Sequence, residues 1–235
     1  MSMDGVRSVQ SPPSREDVQS RVPCIPDSSV ELLRQAYRER SGLIRQRLEE
    51  FAALGEDPEA SFYELCYCLC TPGTKARHAL ACLEQLRRRD FFAQRLARTE
   101  LEHLLRAPHA YIRFHRQKAQ RLARVHDVFE RVWSIRHSAL SPAEKRWELV
   151  RTVNGFGMKE ASHFLRNTGV RGIAVLDRHI IRWMHRLGCP VRLPTSRRSY
   201  EQAEQAFVVL AHRLQIPPEE LDLLCWSLET GEVLR

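Results

Sequence analysis

The sequence has no CxxC pair, no apolar stretch approaching the roughly 20 residues of a membrane helix, and no sustained alternation of apolar and polar positions. The first lack removes zinc ribbons, which need two such pairs, and no compact four-cysteine cluster is present to hold iron and sulfur. The second removes a transmembrane role, and the third leaves helices as the main building material. Seven cysteines, at 24, 66, 68, 70, 82, 189 and 225, form an odd set that fits no secreted disulfide framework. Cys66, Cys68 and Cys70 alternate inside one apolar run, a spacing that scatters around a helix, so they read as small core residues. The expectation is a reduced, intracellular protein without a structural metal.

What is present begins with charge. Lys plus Arg number 37 against 29 for Asp plus Glu, a net charge of +8, which points to a polyanionic partner without naming it. At 235 residues the chain can bury a core as one large domain or as two small lobes sharing a cleft. Residues 1–28 carry Pro12, Pro13, Pro23 and Pro26 among Ser, Asp and Arg, with no apolar segment of a signal peptide, and are expected to be a disordered leader. Residues 29–235 form the folded unit. There the apolar residues recur at helical spacing, as in Ala203, Ala206, Phe207, Leu210, Ala211 and Leu214, or Ala76, Ala79, Leu80 and Leu83. Prolines and glycines cut the chain into helix-length pieces, so the spacing predicts an all-α protein of roughly eight to ten helices in two lobes.

The segment from Ser141 to Gly188 parses most finely. Ser141-Pro142-Ala143-Glu144 is a capping box with proline at the first helical position, opening a helix that carries Trp147, Leu149, Val150 and Val153. Asn154-Gly155-Phe156-Gly157 ends it, and a second helix follows at once over residues 158–167, with Gly169 as its stop. After the apolar run Ile173-Ala174-Val175-Leu176, Asp177 precedes a third helix that Gly188 closes. Two helices joined by such a turn make a helix-hairpin-helix. Glycine permits positive φ and close approach at Gly155 and Gly157, Phe156 plugs the core, and the N–H groups that open the second helix suit a phosphate oxygen. A plain tight turn between helices satisfies the same pattern.

Lys159 sits in the first turn of that second helix, where the helix dipole disfavours a cation, flanked by apolar Phe156, Met158 and Ala161. Both influences favour the neutral amine, a nucleophile able to form a Schiff base with a sugar aldehyde, although most surface lysines are simply solvated. Asp177 caps the third helix, and a cap that uses one carboxylate oxygen leaves the other to accept a proton or stabilise a developing cation. The run Arg106 to Arg124 holds six Arg or Lys and no acid, and reads either as a phosphate-tracking face or as an ordinary solvated one. Further positive charge gathers around the third helix.

The string Gly155-Phe156-Gly157-Met158-Lys159-Glu160-Ala161-Ser162-His163-Phe164-Leu165-Arg166-Asn167-Thr168-Gly169, followed by Ala174-Val175-Leu176-Asp177-Arg178-His179, resembles the helix-hairpin-helix DNA glycosylase superfamily. Within it the similarity is greatest to the type-2 8-oxoguanine DNA glycosylase/lyases, and the 18-residue interval from Lys159 to Asp177 is the one that separates nucleophile and aspartate there. The resemblance runs from about Glu31 to the C-terminus, more weakly in the first half. It implies a monomeric base excision repair enzyme that flips an 8-oxoguanine nucleotide out of duplex DNA, with a hairpin beside an interlobe cleft and no metal or organic cofactor. Lys159 would attack the anomeric carbon and Asp177 would stabilise the oxocarbenium-like transition state. β-Elimination would then cut the strand 3′ to the abasic site.

The resemblance extends to other positions. Arg113-Phe114 resembles an Arg-Phe pair whose ring lies on the flipped base and whose arginine contacts DNA. Asp222 and Trp226 fall in a Leu221–Trp226 element similar to a family Asp-Leu-x-x-x-Trp, with Trp226 the second stacking ring and Met158 beside the base. Arg235 keeps the position and charge of a C-terminal base-recognising lysine. Gly155 and Gly157 are the DNA-backbone contacts. Where relatives place Asn or Gln in a Leu-Thr-Ala-Asn/Gln-like run, this chain has Leu69-Cys70-Thr71-Pro72-Gly73-Thr74-Lys75, which leaves the opposite-base preference open. His163 is expected to be a satisfied, partly buried histidine. Two other functions fit parts of the pattern. One is an endonuclease III-like glycosylase/lyase for oxidised pyrimidines, against which the missing iron–sulfur cysteines speak. The other is a non-catalytic helix-hairpin-helix DNA-binding module, in which Lys159 would be dispensable.

Overall fold

The computed structural model describes residues 27–231. Cys24, Arg235 and most of the expected leader lie outside them. Among the described residues eleven α-helices run in the order α1 Asp27–Glu56, α2 Pro58–Cys70, α3 Ala76–Arg88, α4 Arg98–Leu105, α5 His115–Leu122, α6 Val125–His137, α7 Pro142–Thr152, α8 Met158–Asn167, α9 Arg178–Arg186, α10 Arg197–Leu214 and α11 Pro218–Thr230. No strand occurs among them, and no helix is long and apolar enough to cross a membrane.

The boundaries follow local chemistry. Asp57 caps α2 by accepting from Glu59 and Ala60 N–H, and the Ser141/Glu144 capping box opens α7 with Pro142 at its start. Gly169, at φ +86°, closes α8, where the N–H of Val170 reaches back to the carbonyl of Leu165. Three expectations change. The first described helix covers Asp27 and Ser28, so these two residues belong to α1 and not to a leader. The basic run Arg106 to Arg124 is no single helical face. A 3-10 turn at Pro108–Ala110 and left-handed Phe114, at φ 61°, break it before α5. Leu80, expected on the buried stripe of α3, is 37% exposed.

Two apolar cores form. One gathers α2 to α7 with Ala161, Phe164 and Leu165 of α8, while the other joins Leu33, Ile44, Leu48 and Phe51 of α1 to α9, α10 and α11. The first of the described helices thus packs on the last: Tyr37 Oη donates to Glu220 Oε2 at 2.6 Å and Arg40 to Ser227 Oγ at 2.9 Å. α2 is buried on every side from Ser61 to Cys70, as a helix apolar all round must be, and its three cysteines are free thiols in the core. α8 belongs to both cores, since Met158 joins the second while its next turns join the first. The boundary recurs at Ile173 and Ala174, adjacent residues in different cores.

Candidate active site

A cavity of about 810 Å³ lies between the two cores, with Tyr67, Thr71, Gly73 and Thr74 on one side and Asp177, Tyr200, Asp222 and Trp226 on the other. Met158, Lys159, Glu160 and His163 of α8 line it too. Of the residues expected at a site, Gly157, Met158, Lys159, Asp177, Arg113, Asp222 and Trp226 meet there. Phe114 and Gly155 are not in its wall. Phe114 is 55% exposed, next to the lining residue Gly73, and carries the Arg113 guanidinium 4.7 Å over its ring.

The two hairpin glycines differ. Gly155 has φ +99°, and a Cβ on it would fall 2.4 Å from Arg121 Nε, so both conformation and the guanidinium of α5 demand glycine. Gly157 has φ −103° and ψ −175°, which any residue adopts, and its N–H is taken by Glu160 Oε2 at 3.2 Å. This corrects the expected unpaired N–H there, because the acid three residues on already satisfies it. Phe156 is buried in the first core, as expected.

Lys159 is 32% exposed at its side chain, with Nζ 3.1 Å from Glu160 Oε1. Glu160, not singled out in the sequence, thus holds the hairpin turn with one oxygen and the lysine with the other. Asp177 caps α9 with Oδ1, which accepts from His179 N–H at 2.8 Å and Ile180 N–H at 3.0 Å, leaving Oδ2 for a reacting group. The backbone that delivers Asp177 is pinned from α10 and α11. Leu176 N–H donates to Tyr200 Oη at 3.1 Å, and Val175 N–H to Asp222 Oδ2 at 2.9 Å. Tyr200 also bonds Ser162 Oγ and Ala174 O, and burial pushes its phenol up, which keeps the proton for those bonds.

Asp222 is buried and shares Oδ2 with Arg166 at 2.6 Å. Burial pushes its carboxyl up, against the pull of Arg166, and its buried Oδ1 has no hydrogen-bond partner. From Arg166 the chain of contacts continues through Asn167 Oδ1 at 3.1 Å, and from Asn167 Nδ2 to Glu64 Oε1 at 2.8 Å. The Arg166-Asn167 pair of the motif string is therefore a buried tie from α11 through α8 to α2. Behind α8, Arg146 is buried in a two-pronged pair with Glu204 at 2.5 and 2.6 Å. Trp147, expected only on a core stripe, lines the cavity beneath Arg197, 4.2 Å from its ring centre.

Part of the positive charge is buried or paired. In the basic run Lys118 is buried and Arg116 pairs with Glu102 at 3.2 Å, and Arg121 covers Gly155. Around the third helix Arg182 and Arg186 share Glu229, at 3.3 and 2.6 Å, and against its burial they hold that carboxyl below its usual range. Arg113 and Arg178 remain exposed at the cavity. Glu64, Cys68 and His163 bring three metal-type donors within 4.8 Å of one another. Glu64 Oε1 accepts from Asn167 Nδ2 and from the Cys68 thiol, so hydrogen bonds tie this group together in the core.

Comparison with known proteins agrees with this geometry. Residues 44–216 match the family model described as 8-oxoguanine DNA glycosylase. The 8-oxoguanine DNA glycosylase/AP lyase of Thermoplasma volcanium is 35% identical over 198 residues, 84% of this chain and 94% of its own. The crystal structure of the 8-oxoguanine DNA glycosylase of Thermotoga maritima superposes with a TM-score of 0.80 at 30% identity, over 89% of this chain and 99% of that one. That of the Methanocaldococcus jannaschii 8-oxoguanine glycosylase/lyase, in complex with a 15mer DNA containing 8-oxoguanine, gives 0.76 at 29% identity over 87% and 100%. A family model that spans most of the chain, and a relative more than a third identical along nearly its whole length, show that the chain belongs to the helix-hairpin-helix family of 8-oxoguanine DNA glycosylases.

Proposed function

We propose that the chain, acting as a monomer, excises 8-oxoguanine from duplex DNA and cleaves the abasic strand through a Schiff base on Lys159. The observation that carries this reading is the presence of Lys159 and Asp177, from two helices, in the wall of one cavity roomy enough for a flipped nucleotide. Neutral Lys159 Nζ attacks C1′ of the deoxyribose, the glycosidic bond breaks, and the base leaves with the bonding pair and takes up a proton. Asp177 Oδ2 faces the positive charge that develops on the sugar, takes a proton from the lysine nitrogen and passes it to O4′ as the C1′–O4′ bond breaks, which opens the ring and leaves the imine at C1′. Loss of a C2′ proton then expels the 3′ phosphate by β-elimination, and water releases the imine.

Met158, Trp226 and the exposed Phe114 supply apolar surface for the base, and the buried, unpartnered Asp222 Oδ1 offers an acceptor to an N–H edge. Arg113, Gly155 and Gly157 lie on the DNA side. Arg235, outside the described residues, keeps its proposed part in base recognition.

Borohydride trapping on an 8-oxoguanine duplex tests the reading. Wild type should give a covalent adduct and Lys159→Gln none, while both bind the duplex. Asp177→Asn retains the cap, because asparagine caps as well as aspartate, yet should turn over at least about a hundredfold more slowly. No wild-type adduct on 8-oxoguanine or abasic DNA leaves only a binding module, and an adduct confined to oxidised pyrimidines indicates an endonuclease III-like specificity.

A further inference from the structure

One cation of the basic run faces inward. Lys118, on α5, is 1% exposed, and its Nζ donates to Cys70 O at 2.6 Å, Pro72 O at 2.7 Å and Thr74 Oγ1 at 3.0 Å. Three N–H donors meet three oxygens, which saturates the ammonium. Two of the oxygens belong to the segment that links α2 to α3, and the third, Cys70 O, lies at the negative end of the α2 dipole, where a cation is favoured. No carboxylate pairs with Lys118 among its described bonds. A lysine that only filled core space would be replaced at less cost by an apolar side chain, because desolvating a charge is expensive.

What the lysine holds is not core. Thr71, Gly73 and Thr74 line the cavity, and Gly73 takes a left-handed conformation at φ +65°. A Cβ on Gly73 would lie 3.7 Å from both Arg113 Cδ and Phe114 Cε2, so this turn abuts the exposed Arg113–Phe114 corner. The backbone N–H of Lys118 bonds the carbonyl of Phe114 at 3.0 Å. The side chain therefore grips the turn while the backbone grips the corner.

We propose that Lys118 is a positioning residue that locks the 71–75 turn and the Arg113–Phe114 corner into one rigid rim of the cavity, and that this rim captures the nucleotide as it leaves the duplex. The inference rests on the glycosylase/lyase reading above. Capture matters most when an intact base must be unstacked and received; an abasic sugar has no base to unstack, so its reaction leans less on the rim.

The test compares two substrates. Lys118→Met keeps the stem and removes all three donors, and Thr74→Val removes a single acceptor with little threat to folding. For each, the kcat/KM for 8-oxoguanine excision from duplex is divided by the rate of borohydride trapping on a preformed abasic duplex, with Tm measured alongside. The ratio should fall about tenfold for Lys118→Met, mostly through KM, and about two- to threefold for Thr74→Val. A merely structural lysine would lower both activities together in proportion to unfolded protein and leave the ratio at the wild-type value. That result, or an unchanged ratio for Thr74→Val if Lys118→Met fails to fold, overturns the proposal. Failure of the parent reading looks different, because wild type itself would then trap on neither substrate.

Discussion

Lys118 also carries the clearest pH signature. Burial pushes its ammonium from 10.5 down to about 8, against the three oxygens that favour the charged form. In the unfolded chain the lysine keeps its proton to the higher value, so between the two the unfolded state binds more protons and stability rises with pH. The contribution is complete above pH 10.5 and is lost as pH falls through about 8. The Tm difference between wild type and Lys118→Met should therefore shift in favour of wild type from pH 7 to pH 10. A difference that stays flat over that interval would show that the lysine titrates normally. None of this was legible in the sequence, where Lys118 looked like one more exposed cation; its oxygens lie 44 to 48 residues away and leave no local pattern.

Helices and turns were legible where their causes are local. The capping box of α7, the bounds of α8, the Asp177 cap and the Gly169 stop each depend on residues within one turn of chain, and they stand where the pattern put them. The contacts that steady the site do not work that way. Tyr200 holds Leu176 from 24 residues off, Glu204 meets Arg146 across 58, and Asp222 meets Arg166 across 56. The two hairpin glycines look equivalent in sequence and are not in space. Gly155→Ala should destabilise by well over about 1 kcal/mol, since it forces a positive φ and collides with Arg121, whereas Gly157→Ala should cost less than that. Urea unfolding of both variants checks the order; equal losses would mean that the turn relaxes freely.

Across the fold, α8 stitches the lobes together through the Asp222–Arg166–Asn167–Glu64 chain of contacts. Removing Arg166 strands a buried carboxylate, so Arg166→Met should cost about 3–5 kcal/mol. Adding Asp222→Asn neutralises that group while an amide oxygen still accepts from Val175, and should restore at least about 1 kcal/mol. A double variant no more stable than Arg166→Met would show that the pair's charge is immaterial.

The packing of α1 on α11, through partners 183 and 187 residues apart, gives the molecule a history as well as a shape. As the chain is synthesised, α1 emerges well before α9 to α11, with which it shares a core, while α2 to α7 find one another among nearer neighbours in sequence. The hairpin and Lys159 are made before Tyr200 and Asp222, which hold Asp177 in place. A nascent chain can thus present Lys159 before Asp177 is held in place, and the proposed site is assembled only once α10 and α11 have been made.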